Sequence, residues 1–265
     1  MNIVQLSPVD VALASLLVVL TALASLALGL NVHRQLLWSA VRMVAQLLLV
    51  GLVLRWVFTH ASPLLVLVIV VVMIVAAARE VAVRPAARLR RGGNYRIGLL
   101  VVGVSSTVTV ALALMTAIRP DPWYDPRYAI PLMGIVLGSV LNSASLGLES
   151  FFDGVRSGRA AIEARLVCGD TFHAALGALI RSSVRRGMIP IINQMSAAGL
   201  ITLPGVMTGQ LLTGMDPLHA VLYQILLLFL LTGASGLAVT GAVYLAARSV
   251  TDDRDRLRLD RFRID

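Results

Sequence analysis

The sequence predicts an all-α, polytopic membrane protein with about seven transmembrane helices, its N-terminus outside and its C-terminus cytosolic. Two observations carry this expectation. Seven long apolar runs, at 10–30, 36–58, 62–78, 97–118, 129–148, 189–212 and 219–247, interrupt the 265 residues. Each is close to or above the roughly 17–25 residues with which a helix crosses about 30 Å of hydrocarbon. The segments between them alternate in charge. Of the 23 basic residues, only Arg55, Arg119 and Arg127 fall on one side; the others occupy the first, third and fifth loops and the C-terminal tail. Cytosolic segments hold the arginine excess, which sets the orientation.

Composition agrees: hydrophobic residues are 58% of the chain and charged residues 14%. A net charge of +9 would suggest nucleic acid in a soluble protein. Here the same arginines are the topological signal and face anionic lipid, so no nucleic-acid partner is expected.

Residues 1–10 lack the basic stretch of a signal peptide, so the first run is expected to remain as a helix. Arg42 near the start of the second run and Arg55 near its end are long enough to snorkel to the interface. The third run contains LLVLVIVVVMIV at 64–75, apolar on every face. The basic loop 79–96 ends in Gly92-Gly93-Asn94, a turn before the fourth run. The outer loop 119–131 holds Pro120, Pro122, Pro126 and Pro131 with Trp123 and Tyr124, a non-helical stretch suited to the interface. In the long polar loop 149–188, Gly154 and Gly158 are expected to break the start, and helices follow at 160–166 and 172–186. The second is amphipathic, with Phe172, Ala175, Leu176, Leu179 and Ile180 against Arg181, Arg185 and Arg186, and Asp170 or Thr171 as its cap. The tail 251–265 mixes Asp and Arg; it reads as solvated and partly ordered, with a partner contact as the alternative. The whole of 1–265 is expected to form one membrane domain.

Several chemistries are excluded. There is no lysine, so a GxxxxGK[ST] phosphate loop is absent, and so is lysine Schiff-base chemistry. Carboxylates are missing from the middle of every run, and the histidines lie near ends and loops, so the proton relay of a self-powered carrier is missing. Uphill transport would need energy from a partner. The single cysteine, Cys168, excludes an intrachain disulfide. Gly233-Ala234-Ser235-Gly236 matches the GxSG of intramembrane serine proteases. No histidine follows His219, however, and small residues in a membrane helix serve packing. No catalytic residue is expected.

Polar groups enter two runs. The fifth carries Gly134 and Gly138, then Asn142-Ser143-Ala144-Ser145; the sixth carries Asn193-Gln194-Met195-Ser196, then Pro204, Gly205 and Gly209. Glycines four apart read as close-packing surface. Asn142, Asn193 and Gln194 cannot face lipid without cost; they line a path or hydrogen-bond between helices. Pro204 opens a break in the sixth helix, a feature that at membrane depth accompanies a cavity or a protein interior. The substrate-pathway candidates are Asn142, Glu149, Asn193, Gln194, Met195, Pro204 and Met207. The amides and Glu149 offer oxygen ligands. Met133, Met195 and Met207 suit a softer ion, although membrane methionines more often pack. The apolar runs hold no His/Cys/carboxylate cluster, so metal ligands stay unassigned.

The strings PLMGIVLG at 131–138, NSASLGLE at 142–149, IPIINQ at 189–194 and GLITLPGVMTGQ at 199–210, continued by Asp216-Pro217 and YQI at 223–225, resemble the FetB-like iron-export ABC permease family, related to the plant aluminium-tolerance permeases. The likeness covers essentially the whole chain, and LPG-x-MTGQ is its most specific part. It implies a pore subunit of the inner (cytoplasmic) membrane, working as two copies, exporting iron or another metal. It further implies a separate cassette ATPase subunit that carries ATP and magnesium, with no cofactor in this chain. Glu163-Ala164 and Gly169 resemble a coupling loop, with Cys168-Gly169-Asp170 departing from the expected Leu-Gly-Ala. The coupling candidates are Glu163, Gly169, Asp170, Phe172, Leu176 and Arg181. The rival readings are a permease for a small organic solute or chelate, and a non-transport assembly or regulatory protein.

Overall fold

Capping side chains decide where most helices begin. In α1 (Pro8–Ala27), Ser7 accepts from the Asp10 N–H and the Asp10 carboxylate accepts from the Ser7 N–H. Ser62, Asp125 and Asp216 cap α3 (Pro63–Val83), α5 (Pro126–Ser157) and α9 (Pro217–Val250), each with proline in the first turn. Thr171 caps α7 (Phe172–Ala197) by accepting from the Ala174 N–H. Gly92, at φ 71°, leads into α4 (Gly93–Ala113), which runs on through a π turn at Leu114–Ile118. The remaining helices are α2 (His33–His60), α6 (Arg159–Val167) and α8 (Gly205–Leu212). The computed structural model describes residues 7–60, 62–85, 87–89, 92–252, 256–258 and 262–264. Two three-residue strands, β1 (Ala87–Leu89) and β2 (Phe262–Ile264), pair antiparallel and join the third loop to the C-terminal tail.

The chain divides into two compact units, Met1–Ala61 and Ser62–Asp265. In the first, α1 packs on α2, and Ser25 Oγ accepts from the Val32 N–H at the turn between them (3.2 Å). The second is a bundle of α3, α4, α5, α7 and α9. Its core includes Val136, Val140, Leu148, Phe151 and Phe152 of α5, with Leu176 and Ile191 of α7 and Leu227 and Val239 of α9. The helix α5 is parallel to α9, with Ser139 beside Ser235 and Gly147 beside Val239 and Val243. The helix α7 runs antiparallel to α9, with Phe172 by Tyr244, Gly187 by Val239 and Met195 by Thr232.

Single helices do not match the expected seven runs one for one: α5 and α9 run parallel, so the return between them is made by α7 and α8 together and not by one apolar helix. Among the described residues, six helices are long and apolar enough to cross a membrane: α1, α2, α3, α4 with its π turn, α5 and α9. The sixth run, 189–212, is not one helix. The helix α7 starts at Phe172, continues through Gly187 and Pro190 and ends at Ala197; α8 takes only the last eight residues. The break begins earlier than Pro204. Gly199 adopts φ +88°, its N–H bonds the Thr202 carbonyl (2.9 Å), and Thr202 N–H returns to Ala197 (3.0 Å). Pro204 is the N-cap residue of α8, and its ring disfavours helical geometry at Leu203 just before it.

Three further expectations change. Residues 172–186 are not a separate loop helix but the first half of α7. The outer loop is shorter than 119–131, because α5 already starts at Pro126 and holds Pro131 inside it. Gly154 does not break the chain. It sits within α5, where a Cβ would run into Leu179 of α7, and the helix ends at Ser157. The close approaches are made by other glycines than the GxxxG pairs. A Cβ on Gly187 would meet Ser143 O at 2.7 Å, and one on Gly98 would meet Ala78 O at 2.9 Å. Gly138, Gly205 and Gly209 have nothing within 4 Å of that position.

Helix lengths set the reach of the bundle. The 21 residues of α3 span about 31 Å, whereas α5 and α9, with 32 and 34, span about 48 and 51 Å. Arg84, at the end of α3, meets Asn142 of α5. From there α5 continues about 23 Å to Ser157, carrying α6 and the start of α7 well past the end of α3.

Candidate functional site: a polar cleft on α5 and α7

A cleft of about 260 Å³ opens between α5 and α7, with Leu231 of α9 at its base. Gly134 and Gly138 leave it without side chains on two turns of α5, and Ser139, Asn142 and Ser143 line the next turns. Pro190, Ile191 and Gln194 form the α7 wall. Pro190 supplies no N–H to the carbonyl four residues earlier, which adds backbone polarity to this wall. Ser139 Oγ and Ser235 Oγ lie 2.8 Å apart and tie α5 to α9. The Ser235 of the GxSG string is thus buried helix-to-helix glue. At the polar end, Arg84 Nη1 donates to Asn142 Oδ1 at 3.0 Å.

The cleft brings together two of the sequence candidates, Asn142 and Gln194, and leaves the others outside it. Asn193 is exposed on α7. Met195 is half-buried, and its sulfur accepts from Thr232 Oγ1 at 3.1 Å, an α7–α9 tie. Glu149 is half-buried two turns further along α5. Pro204 and Met207 belong to the break and to α8. Met133 is buried in the opposite wall of α5, beside an apolar groove of about 160 Å³ under Trp123 and Tyr124. No group of three or more His, Cys, Asp or Glu side chains that could hold a metal ion occurs among the described residues. Sequence reasoning missed Arg84, which it assigned only to the charge of the third loop. Its partner lies 58 residues away, and no local pattern signals that pairing.

At the far end of α7, a tight turn leads back to α6. Gly169 adopts φ +92°, Arg165 Nε pairs with Asp170 Oδ2 at 2.7 Å, and Arg159 Nε pairs with Glu163 Oε1 at 2.9 Å. Val167 at the tip is 87% exposed, and Cys168 and Gly169 are exposed beside it. Phe172 and Leu176 are turned inward and buried. The Phe172 ring meets His173 and Tyr244 edge-on, with centroids 5.2 and 6.5 Å away, and the Arg248 guanidinium lies 5.3 Å from its centre. Arg181 is exposed on the helix surface.

Residues 8–251 match the uncharacterised protein family UPF0014. The chain belongs to the UPF0014 family. Its relatives include the UPF0014 membrane protein slr1647 of Synechocystis sp., 39% identical over 82% of this chain and 84% of the relative. The probable iron export permease protein FetB of Escherichia coli is 29% identical over 97% of both chains. The protein ALUMINUM SENSITIVE 3 of Arabidopsis thaliana is 26% identical over 88% of this chain and 84% of its own. No solved structure matches. The likeness read from the LPG-x-MTGQ region therefore holds, and this UPF0014 chain is a multi-pass membrane protein whose relatives include one named as a permease.

Proposed function

We propose that this UPF0014 protein is the permease subunit of an ATP-binding cassette exporter of the cytoplasmic membrane, moving iron or another metal and driven by a separate ATPase subunit. The observation that carries this reading is the continuity of α7. One 26-residue helix, about 39 Å long, holds Pro190 and Gln194 in the cleft at one end and leads from the exposed α6–α7 turn at the other. A rigid helix of this kind passes movement at the turn to the cleft wall. The arginine excess of 156–186 supports a cytosolic position for that turn, on the side where the partner ATPase would hold ATP and magnesium. Glu163, Gly169, Asp170 and Arg181 are the residues offered to such a partner. Phe172 and Leu176, being buried, transmit the movement to α9 and α5 instead of touching the partner. The iron assignment follows the name of the Escherichia coli relative.

Coexpression with a cassette ATPase subunit tests the reading. A stable complex should form in lipid, and its ATP turnover should rise with iron. Gly169→Trp should return turnover to that of the ATPase alone, because φ +92° at this turn excludes a side chain without strain. Failure to form a complex would favour the non-transport reading.

The permease works as two copies in this proposal. The 198–204 break lies near Met195, which packs on Thr232 about 23 Å along α9 from Pro217, hence near the middle of the hydrocarbon. There Leu200 is 95% and Ile201 82% exposed. Irregular backbone at that depth needs a protein or aqueous cover, and a second copy supplies it. In a Cys168→Ser background, Ile201→Cys should cross-link two chains in native membranes. A chain that stays monomeric under oxidant, while the introduced thiol remains reactive to a lipid-soluble maleimide, would disprove this pairing.

A further inference from the structure

We propose that the α5–α7 cleft accepts an anionic solute, with a carboxylate- or phosphate-bearing complex of the metal as its cargo, and does not bind a bare metal cation. This deepens the permease reading and rests on it.

The donor count argues against a bare ion. A divalent metal takes about four to eight ligands at roughly 2.0–2.6 Å. The side chains lining the cleft that carry oxygen are Ser139, Asn142, Ser143 and Gln194. Of these, Asn142 Oδ1 already accepts from Arg84, and Ser139 Oγ is engaged with Ser235. Ser143 is buried. Gln194 is left as the one exposed amide oxygen facing the space with no hydrogen bond assigned to it. No carboxylate lines the cleft; the backbone carbonyl that Pro190 leaves without a donor adds one neutral oxygen, so no negative charge there offsets that of a naked cation.

The charge that is present has the opposite sign to the one a cation needs. Arg84 is not itself part of the cleft lining, but its Nη1 lies 3.0 Å from Oδ1 of the lining residue Asn142, and the side chain is exposed. It forms no ion pair with a carboxylate among the described residues. Guanidinium is always charged and presents five donors in a planar fork that matches carboxylate or phosphate; a single donor is used on Asn142. Accepting from Arg84 also fixes the Asn142 amide, so that its NH₂ is free to donate. Arg84, the Asn142 amide nitrogen and the Gln194 amide nitrogen therefore form a donor set for anionic oxygens. The two amides face a space of about 260 Å³, wide enough for a chelate and too wide to grip a bare ion.

The test is equilibrium binding to the purified chain in neutral-lipid nanodiscs, with radiolabelled iron(III) citrate, citrate alone and Fe²⁺ under reducing conditions as probes. Iron citrate should bind saturably, Fe²⁺ should not compete, and Arg84→Gln should weaken binding about tenfold or more, with Arg84→Lys retaining part of it. Unchanged thermal melting of Arg84→Gln separates loss of the site from loss of the fold. Citrate binding as tightly as its iron complex, again dependent on Arg84, would uphold the anion site and remove iron from the proposed function. Saturable Fe²⁺ binding indifferent to Arg84→Gln would overturn the inference and leave the permease reading intact. No binding of either citrate probe would also overturn it, while ATPase complex formation would still decide the permease reading separately.

Discussion

Gly187→Leu should abolish folding of the α5–α7–α9 bundle. A Cβ at this position lies 2.7 Å from Ser143 O and 3.2 Å from Gly147 N, and it overlaps Val239. Two of those neighbours are backbone, which cannot rotate aside. Overpacking in a well-filled core typically costs about 1–3 kcal/mol; here the whole helix would have to move away, so the expected cost exceeds that range. The measurement is thermal melting of the detergent-solubilised chain followed by size exclusion. Gly138→Ala and Gly205→Ala are the controls, because nothing lies within 4 Å of the added carbon in either case. Wild-type melting of Gly187→Leu would mean that α5 and α7 do not meet in this register.

Phe172→Ala should loosen the first turns of α7 and uncouple ATP hydrolysis from transport. Phe172 is buried against Tyr244 and beneath Arg248, at the point where the α6–α7 turn joins the bundle. Truncating a buried phenylalanine costs about 3–5 kcal/mol. The loss is local, since the rest of α7 remains held by the Gly187 and Met195 contacts. Hydrogen exchange should rise across 172–180 with little change at 187–197, and the partner complex should keep hydrolysing ATP without moving cargo. Phe172→Leu, which refills most of the volume, should restore much of the coupling. Transport by Phe172→Ala at the wild-type rate would show that α7 does not carry the signal.

The first of these predictions uses a contact that sequence reading misplaced. GxxxG spacing pointed to Gly134, Gly138, Gly205 and Gly209 as packing surface, yet the tightest approaches occur at Gly98, Gly147, Gly154 and Gly187. Spacing reports which residues share a helix face but not which helix that face meets. The amphipathic pattern at 172–186 correctly placed Phe172 and Leu176 on the buried face. It did not show that the same helix continues through Pro190 into the cleft. Proline lowers helix propensity locally, and packing of α7 between α5 and α9 overrides it.

Membrane class, most helix limits and the arginine asymmetry were legible in the chain read residue by residue, because lipid imposes length, apolarity and charge distribution on each segment separately. The cap at Thr171, which the sequence offered together with Asp170, is a local hydrogen bond and belongs with them; those at Ser62, Asp125 and Asp216 are equally local but were not read from the chain. The break in the sixth run was expected at Pro204, but its start at Ala198 and the union of 172–188 with the run's first part as one α7 emerged only from the packed bundle, and so did the choice of which polar residues meet. Asn142 and Gln194 share a cleft while Asn193 lies outside it, and Arg84 reaches Asn142 across 58 positions. A hydrogen bond between distant helices depends on their crossing and register. Those are set by the whole assembly of helices, and no short stretch of sequence encodes them.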